Sequence, residues 1–214
     1  MTDSPTIIGL VLAGGRARRL DGIDKCLITF GGASLLEHIH RCALPQVETL
    51  WLNANGDPER FAHFAHTGLA GLEIVPDQFP NYPGPLAGVH AGLQHMAQTR
   101  PEAQWLASFA GDTPWFPDTL VATLYAAVRE TKAPVAFACD AEGGHPTFAL
   151  WHRSLASRIE KTLASAQHPR LSDWIVQHGG LGIPVAASPG DFFNINSPDD
   201  LQRAKELMTH PDEG

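Results

Sequence analysis

Short apolar runs alternate along the chain with stretches in which apolar residues recur every three or four positions. The runs bounded by turn residues predict buried strands, and the longer periodic stretches predict helices. IIGLVLA opens the series and breaks at Gly14. Ser34 and Glu37 stand at capping-box spacing, which starts a helix that ends before Pro45. Strands follow at 49–53 (TLWLN) and 72–75 (LEIV), with a helix over 58–66 between them. Leu86, Val89, Leu93 and Met96 fall at helical spacing. WLASFA then forms a central strand ending at Gly111 and Asp112, and Pro117 starts a helix through Leu124 and Val128. PVAFA at 134–138 is a further strand. The remainder predicts strands near 147–151, 182–186 and 192–195, and helices near 154–165 and 172–178. A last helix begins at Ser197 and Pro198, with Asp199 and Asp200 complementing its dipole.

Strands separated by helices imply a parallel sheet, because parallel neighbours need crossover connections. The expected fold is therefore α/β: a three-layer sandwich around a mostly parallel, Rossmann-like sheet, as one domain over residues 1–214. In such folds ligands collect at the carboxyl ends of the strands. Those ends carry Leu12, Ala13, Gly14 and Gly15, then Asn53 and Asn55, then Asp77, and then Asp112.

Charge sharpens this picture. The formal net charge of −8 argues against a nucleic-acid partner, which demands a broad basic face. Yet Arg16, Arg18, Arg19 and Lys25 crowd behind the first strand, after two glycines that let backbone N–H groups approach an anion. The loop reads as a phosphate cradle. It is neither a Walker loop, since Gly22 is followed by Ile23 and Asp24, nor a dinucleotide fingerprint, since it continues through Arg19 and Asp21 before any helix.

Two carboxylates face this loop across the expected crevice. Asp112, at the end of the central strand, suits Mg²⁺, which takes one or two protein carboxylates and completes its shell with phosphates and water. The same position also suits a helix cap or an Asx turn. Asp77 can accept the adjacent N1–H and amino donors of guanine, a pair that cytosine and adenine lack; beside Pro76 it can equally be a turn residue. His63 and His66 stand three apart without a third ligand at suitable spacing. Three cysteines with no C-x-x-C pair point to neither a disulfide framework nor a zinc site, hence to a reducing cytoplasmic setting. The polar start MTDSPT and the short first apolar run predict no signal segment and no membrane span.

The loop LAGGRARRLDGIDK, together with PGPLAG at 83–88, GDTP at 111–114, GHPTFALW at 144–151 and NINSPDDL at 194–201, resembles the molybdenum cofactor guanylyltransferase family. Leu20 and Asp21 stand where that family has Met and Gly. The resemblance covers nearly the whole chain. It implies transfer of GMP from GTP to molybdenum-molybdopterin, giving a guanine dinucleotide and pyrophosphate, with Mg²⁺ as cofactor; for so acidic a chain a monomer is the simplest expectation. It implies a GTP site of Leu12, Ala13, Gly14, Gly15, Lys25, Asn53, Asp77 and Asp112, with Asp112 as the metal ligand. On that reading Lys25, Arg19 and Asp112 carry catalysis. Asn194 and Asn196, two apart on the expected last strand, would present amides to the pterin, and His145 and Arg170 are candidates for its anionic end. Transient contact with molybdoenzymes or their chaperones would follow. A cytidylyltransferase, a sugar-phosphate nucleotidyltransferase and a noncatalytic nucleotide or pterin carrier are the rival readings; the LAGG of residues 12–15, rather than the LAAG of the cytidylyl relatives, favours GTP.

Overall fold

The computed structural model describes residues 5–14, 19–20, 23–66, 69, 71–79, 84–165 and 169–209. Its centre is a seven-stranded sheet made of β1 (Ile7–Leu12), β2 (Thr49–Asn53), β3 (Glu73–Val75), β4 (Trp105–Ala110), β5 (Val135–Cys139), β6 (Gly144–His152) and β7 (Leu181–Pro184). The spatial order is β7-β5-β6-β4-β1-β2-β3. All neighbouring pairs are parallel except those of β6, which runs antiparallel between β4 and β5. The sheet is thus mostly parallel, with one reversed strand entered by a hairpin. Asp140 makes that hairpin, its Oδ1 accepting from the Glu142 and Gly143 amides at 2.8 and 3.0 Å.

Period-two alternation in β1 explains the layering. Ile7 and Val11 face α1 (Leu35–Ala43) and α3 (Leu120–Thr131), whereas Ile8, Leu10 and Leu12 face α2 (Pro85–Thr99) and α4 (Ala156–Ala164). α5 (Leu171–Gln177) joins the second layer through Trp174 and Ile175, and α6 (Pro198–Thr209) joins the first through Ala204. Gly9 breaks the alternation for a steric reason: a Cβ there would lie 2.6 Å from Leu50 Cδ1. No helix among the described residues is long and apolar enough to cross a membrane.

The capping box at the start of α1 forms as its spacing predicts. Ser34 N donates to Glu37 Oε2 at 2.7 Å, and Glu37 N donates to Ser34 Oγ at 3.2 Å. The hydrogen bond from the Ser34 backbone holds the Glu37 carboxyl below its ordinary range, against the opposing effect of burial. Its folded pKa lying below the unfolded one, this interaction stabilises fully above the unfolded value and is lost as pH falls through the folded value. Ser34→Ala is expected to cost about 1 kcal/mol of unfolding free energy at neutral pH. Urea titrations of both proteins should show the difference shrinking in acid.

Three elements depart from the sequence expectation. Residues Pro58–His66 form a 3₁₀ helix, in which Phe61 and Phe64, three apart, eclipse and stack with ring centroids 6.4 Å apart over the core. α3 begins at Leu120 instead of Pro117, because Gln46 reaches across to accept from Val121 N at 3.0 Å and to donate to the Pro117 carbonyl at 3.1 Å. Residues 192–195 are not a strand. Phe192 adopts φ +60°, and the segment is pinned to the turn after β4 by two isolated bonds, Phe192 N to the Trp115 carbonyl at 3.0 Å and Ile195 N to the Asp112 carbonyl at 2.8 Å.

Candidate active site

Register brings the sequence-predicted residues to one edge. Leu12 pairs with Asn53 on one side and Ala110 on the other, and Asn53 pairs with Val75, so four parallel strands finish in a single row. Two residues beyond each finish stand Gly14, Asn55, Asp77 and Asp112. The crevice is therefore a consequence of pairing, with every loop leaving the sheet at one level.

The first strand end is built for close approach. Ala13 N donates to the Asn53 carbonyl at 2.8 Å and Gly111 N to the Leu12 carbonyl at 3.1 Å. A Cβ on Gly14 would meet Asn53 Oδ1 at 2.7 Å and Asn55 Nδ2 at 2.8 Å, and one on Gly111 would meet the Leu12 carbonyl at 2.6 Å. Both positions exclude a side chain. Beyond Gly14 the chain returns as a small antiparallel ladder in which Arg19 pairs with Asp24 and Leu20 with Ile23. Gly15, Arg16, Arg18 and Asp21 lie outside the described residues, as do the Arg19 side chain, residues 81–83 and the side chains of His63 and His66.

The ladder leads into Lys25, buried at 8% exposure on a short 3₁₀ turn that begins directly after Asp24. Lys25 Nζ donates to Asn196 Oδ1 at 2.7 Å. Asp24 in turn pairs with Arg60 Nε at 3.1 Å. At the start of α6, Asp200 accepts from the Asn196 and Ser197 amides at 2.9 Å each. The bond from the Asn196 amide, followed by those from Ser197, holds the Asp200 carboxyl below its ordinary range, and Lys25 adds to this.

At the guanine candidate, Asp77 is gripped by two asparagines. Asn53 Nδ2 donates to Asp77 Oδ1 at 2.8 Å and to the Val75 carbonyl at 3.0 Å. Asn55 Nδ2 donates to Asp77 Oδ2 at 2.7 Å, and Asn55 Oδ1 accepts from Asp77 N at 2.8 Å. Asn53 is 2% exposed, and Gly88 on α2 makes the space for it, since a Cβ there would collide with Asn53 Oδ1. α2 itself starts at Pro85 behind Gly84, whose φ of +91° turns the chain into the helix.

Asp112 sits half-buried at the end of β4, its carbonyl held by Ile195 N and its Oδ1 3.4 Å from Thr113 Oγ1. Thr113 Oγ1 also donates to Asn194 Oδ1. Asn194 and Asn196 thus reach the site without the predicted strand, one bound to Thr113 and the other to Lys25. His145 is already engaged, 2.9 Å from Asp140 and stacked on Phe192 at 4.1 Å, and Arg170 is exposed at the start of α5. Among the described residues no group of three His, Cys, Asp or Glu side chains converges. The Asp112 carboxylate is a hard oxygen donor, of which Mg²⁺ takes one or two before phosphate and water complete its shell.

A parallel sheet whose strand ends gather a glycine bend, a buried lysine and an amide-held carboxylate has the form of a nucleotide-processing site, and comparison gives its class. Residues 9–181 match the family model of the MobA-like NTP transferase domain, which makes the chain a nucleotidyltransferase. A protein of Mesorhizobium japonicum named molybdenum cofactor guanylyltransferase is 40% identical over 206 residues, covering 94% of this chain and 96% of its own length. The chain belongs to the molybdenum cofactor guanylyltransferase family. Its fold is shared with molybdopterin-guanine dinucleotide biosynthesis protein A of Archaeoglobus fulgidus, with a TM-score of 0.71 at 21% identity over 94% of this chain and 98% of that one. A Mycobacterium tuberculosis protein solved in complex with manganese shares it too, with a TM-score of 0.63 at 19% identity over 94% and 98%.

The sequence marked Asn53, Asp77, Lys25 and Asp112 as site residues. It brought Asn55 to the crevice without a task, gave Asp200 only a helix-dipole role and held Thr113 and Gly88 only within motifs, although the N-x-N spacing at the end of β2 was a usable signal.

Proposed function

We propose that this chain, as one monomeric, cytoplasmic domain, transfers GMP from GTP to molybdenum-molybdopterin, forming molybdopterin guanine dinucleotide and releasing pyrophosphate. The observation that carries this reading is an Asp77 carboxylate held at both oxygens beyond the strand ends, in a chain that also buries the Lys25 ammonium of the loop following the first strand. The carboxylate suits the donor edge of guanine and the ammonium a phosphate.

The acceptor's terminal phosphate oxygen attacks the α-phosphorus of GTP. A new P–O bond forms to GMP as the bond to the β-phosphate breaks and pyrophosphate leaves on the opposite side. With a second pKa of about 6, a phosphate monoester is already ionised at neutral pH and needs little general-base help. The chain's contribution is position and charge. Lys25 neutralises the α-phosphate as its charge redistributes. Arg19 and the N–H groups of Gly14 and Gly15 hold the leaving pyrophosphate, and Asn53 and Asp77 fix the base. Asp112 is the residue that would hold Mg²⁺; when bound, the ion screens the phosphates and aligns them. The manganese-bound neighbour supports a divalent cation in this fold. Asn194 and Asn196 would offer amide N–H donors to the pterin, whose ring edge mixes donors and acceptors. Docking onto a receiving molybdoenzyme or its chaperone would complete delivery.

A coupled assay for pyrophosphate tests the reaction class. Release that requires molybdenum-molybdopterin as well as GTP and Mg²⁺ supports transfer; tight nucleotide binding with no release would instead support a carrier.

A further inference from the structure

We infer that Asn55 is a positioning residue for base selection: it locks the Asp77 carboxylate in the plane that reads guanine and ties that carboxylate to the phosphate loop. The inference rests on the guanine reading of Asp77 and adds a residue to it. Three bonds carry the argument. The Asn55 amide nitrogen donates to Asp77 Oδ2 and to the Gly14 carbonyl, both at 2.7 Å, and its oxygen accepts from Asp77 N at 2.8 Å. One amide therefore grips the backbone and the side chain of Asp77 at once, while reaching the first residue of the glycine pair.

Lone-pair counting shows what this achieves. Each carboxylate oxygen has two acceptor directions. Asn53 takes one on Oδ1 and Asn55 takes one on Oδ2, leaving one on each oxygen for two adjacent donors. Asn53 alone would leave the carboxylate free to turn about its own bond, with Oδ2 solvated at variable angles. Held at both oxygens, it presents two acceptors side by side, the arrangement that N1–H and the 2-amino group of guanine require. The link to the Gly14 carbonyl sets the distance between this acceptor pair and the phosphate cradle. That distance is itself a ruler for a nucleoside triphosphate.

Inosine triphosphate is the discriminating probe, since it keeps N1–H and lacks the 2-amino group. Calorimetric Kd values for GTP and for inosine triphosphate, each with Mg²⁺, give a preference ratio measured within one preparation, which cancels differences in the folded fraction. Wild type should prefer GTP by at least about tenfold, the size of one hydrogen bond to a charged acceptor. In Asn55→Ala the ratio should fall toward unity, with a smaller loss common to both nucleotides. Asn55→Leu keeps the bulk and removes both donations without adding charge, and it should give the same collapse. A ratio that stays at the wild-type value in both variants, with the two affinities falling in parallel, would overturn the role of Asn55. Asp77→Ala separates the two readings: a guanine preference that survives there removes the guanine reading and this inference with it. A preference lost in Asp77→Ala but kept in both Asn55 variants removes only the inference.

Discussion

Asp112→Ala is expected to lower turnover by at least about a hundredfold, the cost typical of losing one electrostatic contact to a phosphoryl transition state, while leaving the fold intact. The two halves of this expectation rest on different atoms. Structurally, residue 112 acts through its backbone, whose carbonyl accepts from Ile195 N, and alanine preserves that bond. The carboxylate itself has only a 3.4 Å approach from Thr113 Oγ1 to hold it among the described residues, so its removal disturbs little packing. Asp112→Asn should match the alanine variant in activity, since the amide keeps the shape and loses the charge. Thermal melting and steady-state turnover across a Mg²⁺ titration check both halves. Turnover near wild type at any Mg²⁺ concentration would remove Asp112 from the metal site.

Lys25→Ala is expected to cost about 3 kcal/mol of transition-state stabilisation, roughly a hundredfold in saturated rate, with a smaller loss in GTP affinity. The ammonium is held in place before substrate arrives, because the side chain is buried and Asn196 holds Nζ. A neutral amide fixes the position without cancelling the charge. Preorganisation of that kind matters most where charge develops, so its loss appears in kcat more than in binding. Lys25→Met keeps the apolar stem and should reproduce the rate defect with less loss of stability. Single-turnover rates at saturating GTP, set beside calorimetric Kd values, separate the two effects. A pure affinity loss at unchanged saturated rate would contradict a catalytic role.

Local signals in the sequence sufficed for most of the frame. Ser34 and Glu37 announce the start of α1 because the capping box closes within four residues, and LVLAGG shows a strand meeting a glycine bend because both are short-range features. The strand-end rule then marks Asp77 and Asp112 without knowledge of register. What stayed hidden depends on partners distant in the chain. The start of α3 is set by Gln46, more than seventy residues earlier, which supplies hydrogen bonds that no nearby residue announces. The 192–195 segment reads as a strand from its apolar residues, but the distant backbone it bonds is the irregular turn after β4, so it takes two single bonds to that turn and a left-handed Phe192. The site shows the same division. Lys25, Asn53 and Asp77 follow from motif and strand end, whereas the grip of Asn55 on Asp77 and the seat of Lys25 on Asn196 arise only when separate loops meet.

The central claim is that this crevice moves a guanylyl group and no other. The direct test is incubation of the protein with an equimolar mixture of the four nucleoside triphosphates, Mg²⁺ and molybdenum-molybdopterin, with the products resolved by mass spectrometry. The account predicts one pterin product heavier by a GMP unit, with pyrophosphate in equal amount and the other three nucleotides untouched. A pterin carrying CMP, or no nucleotidylated pterin at all, would contradict it.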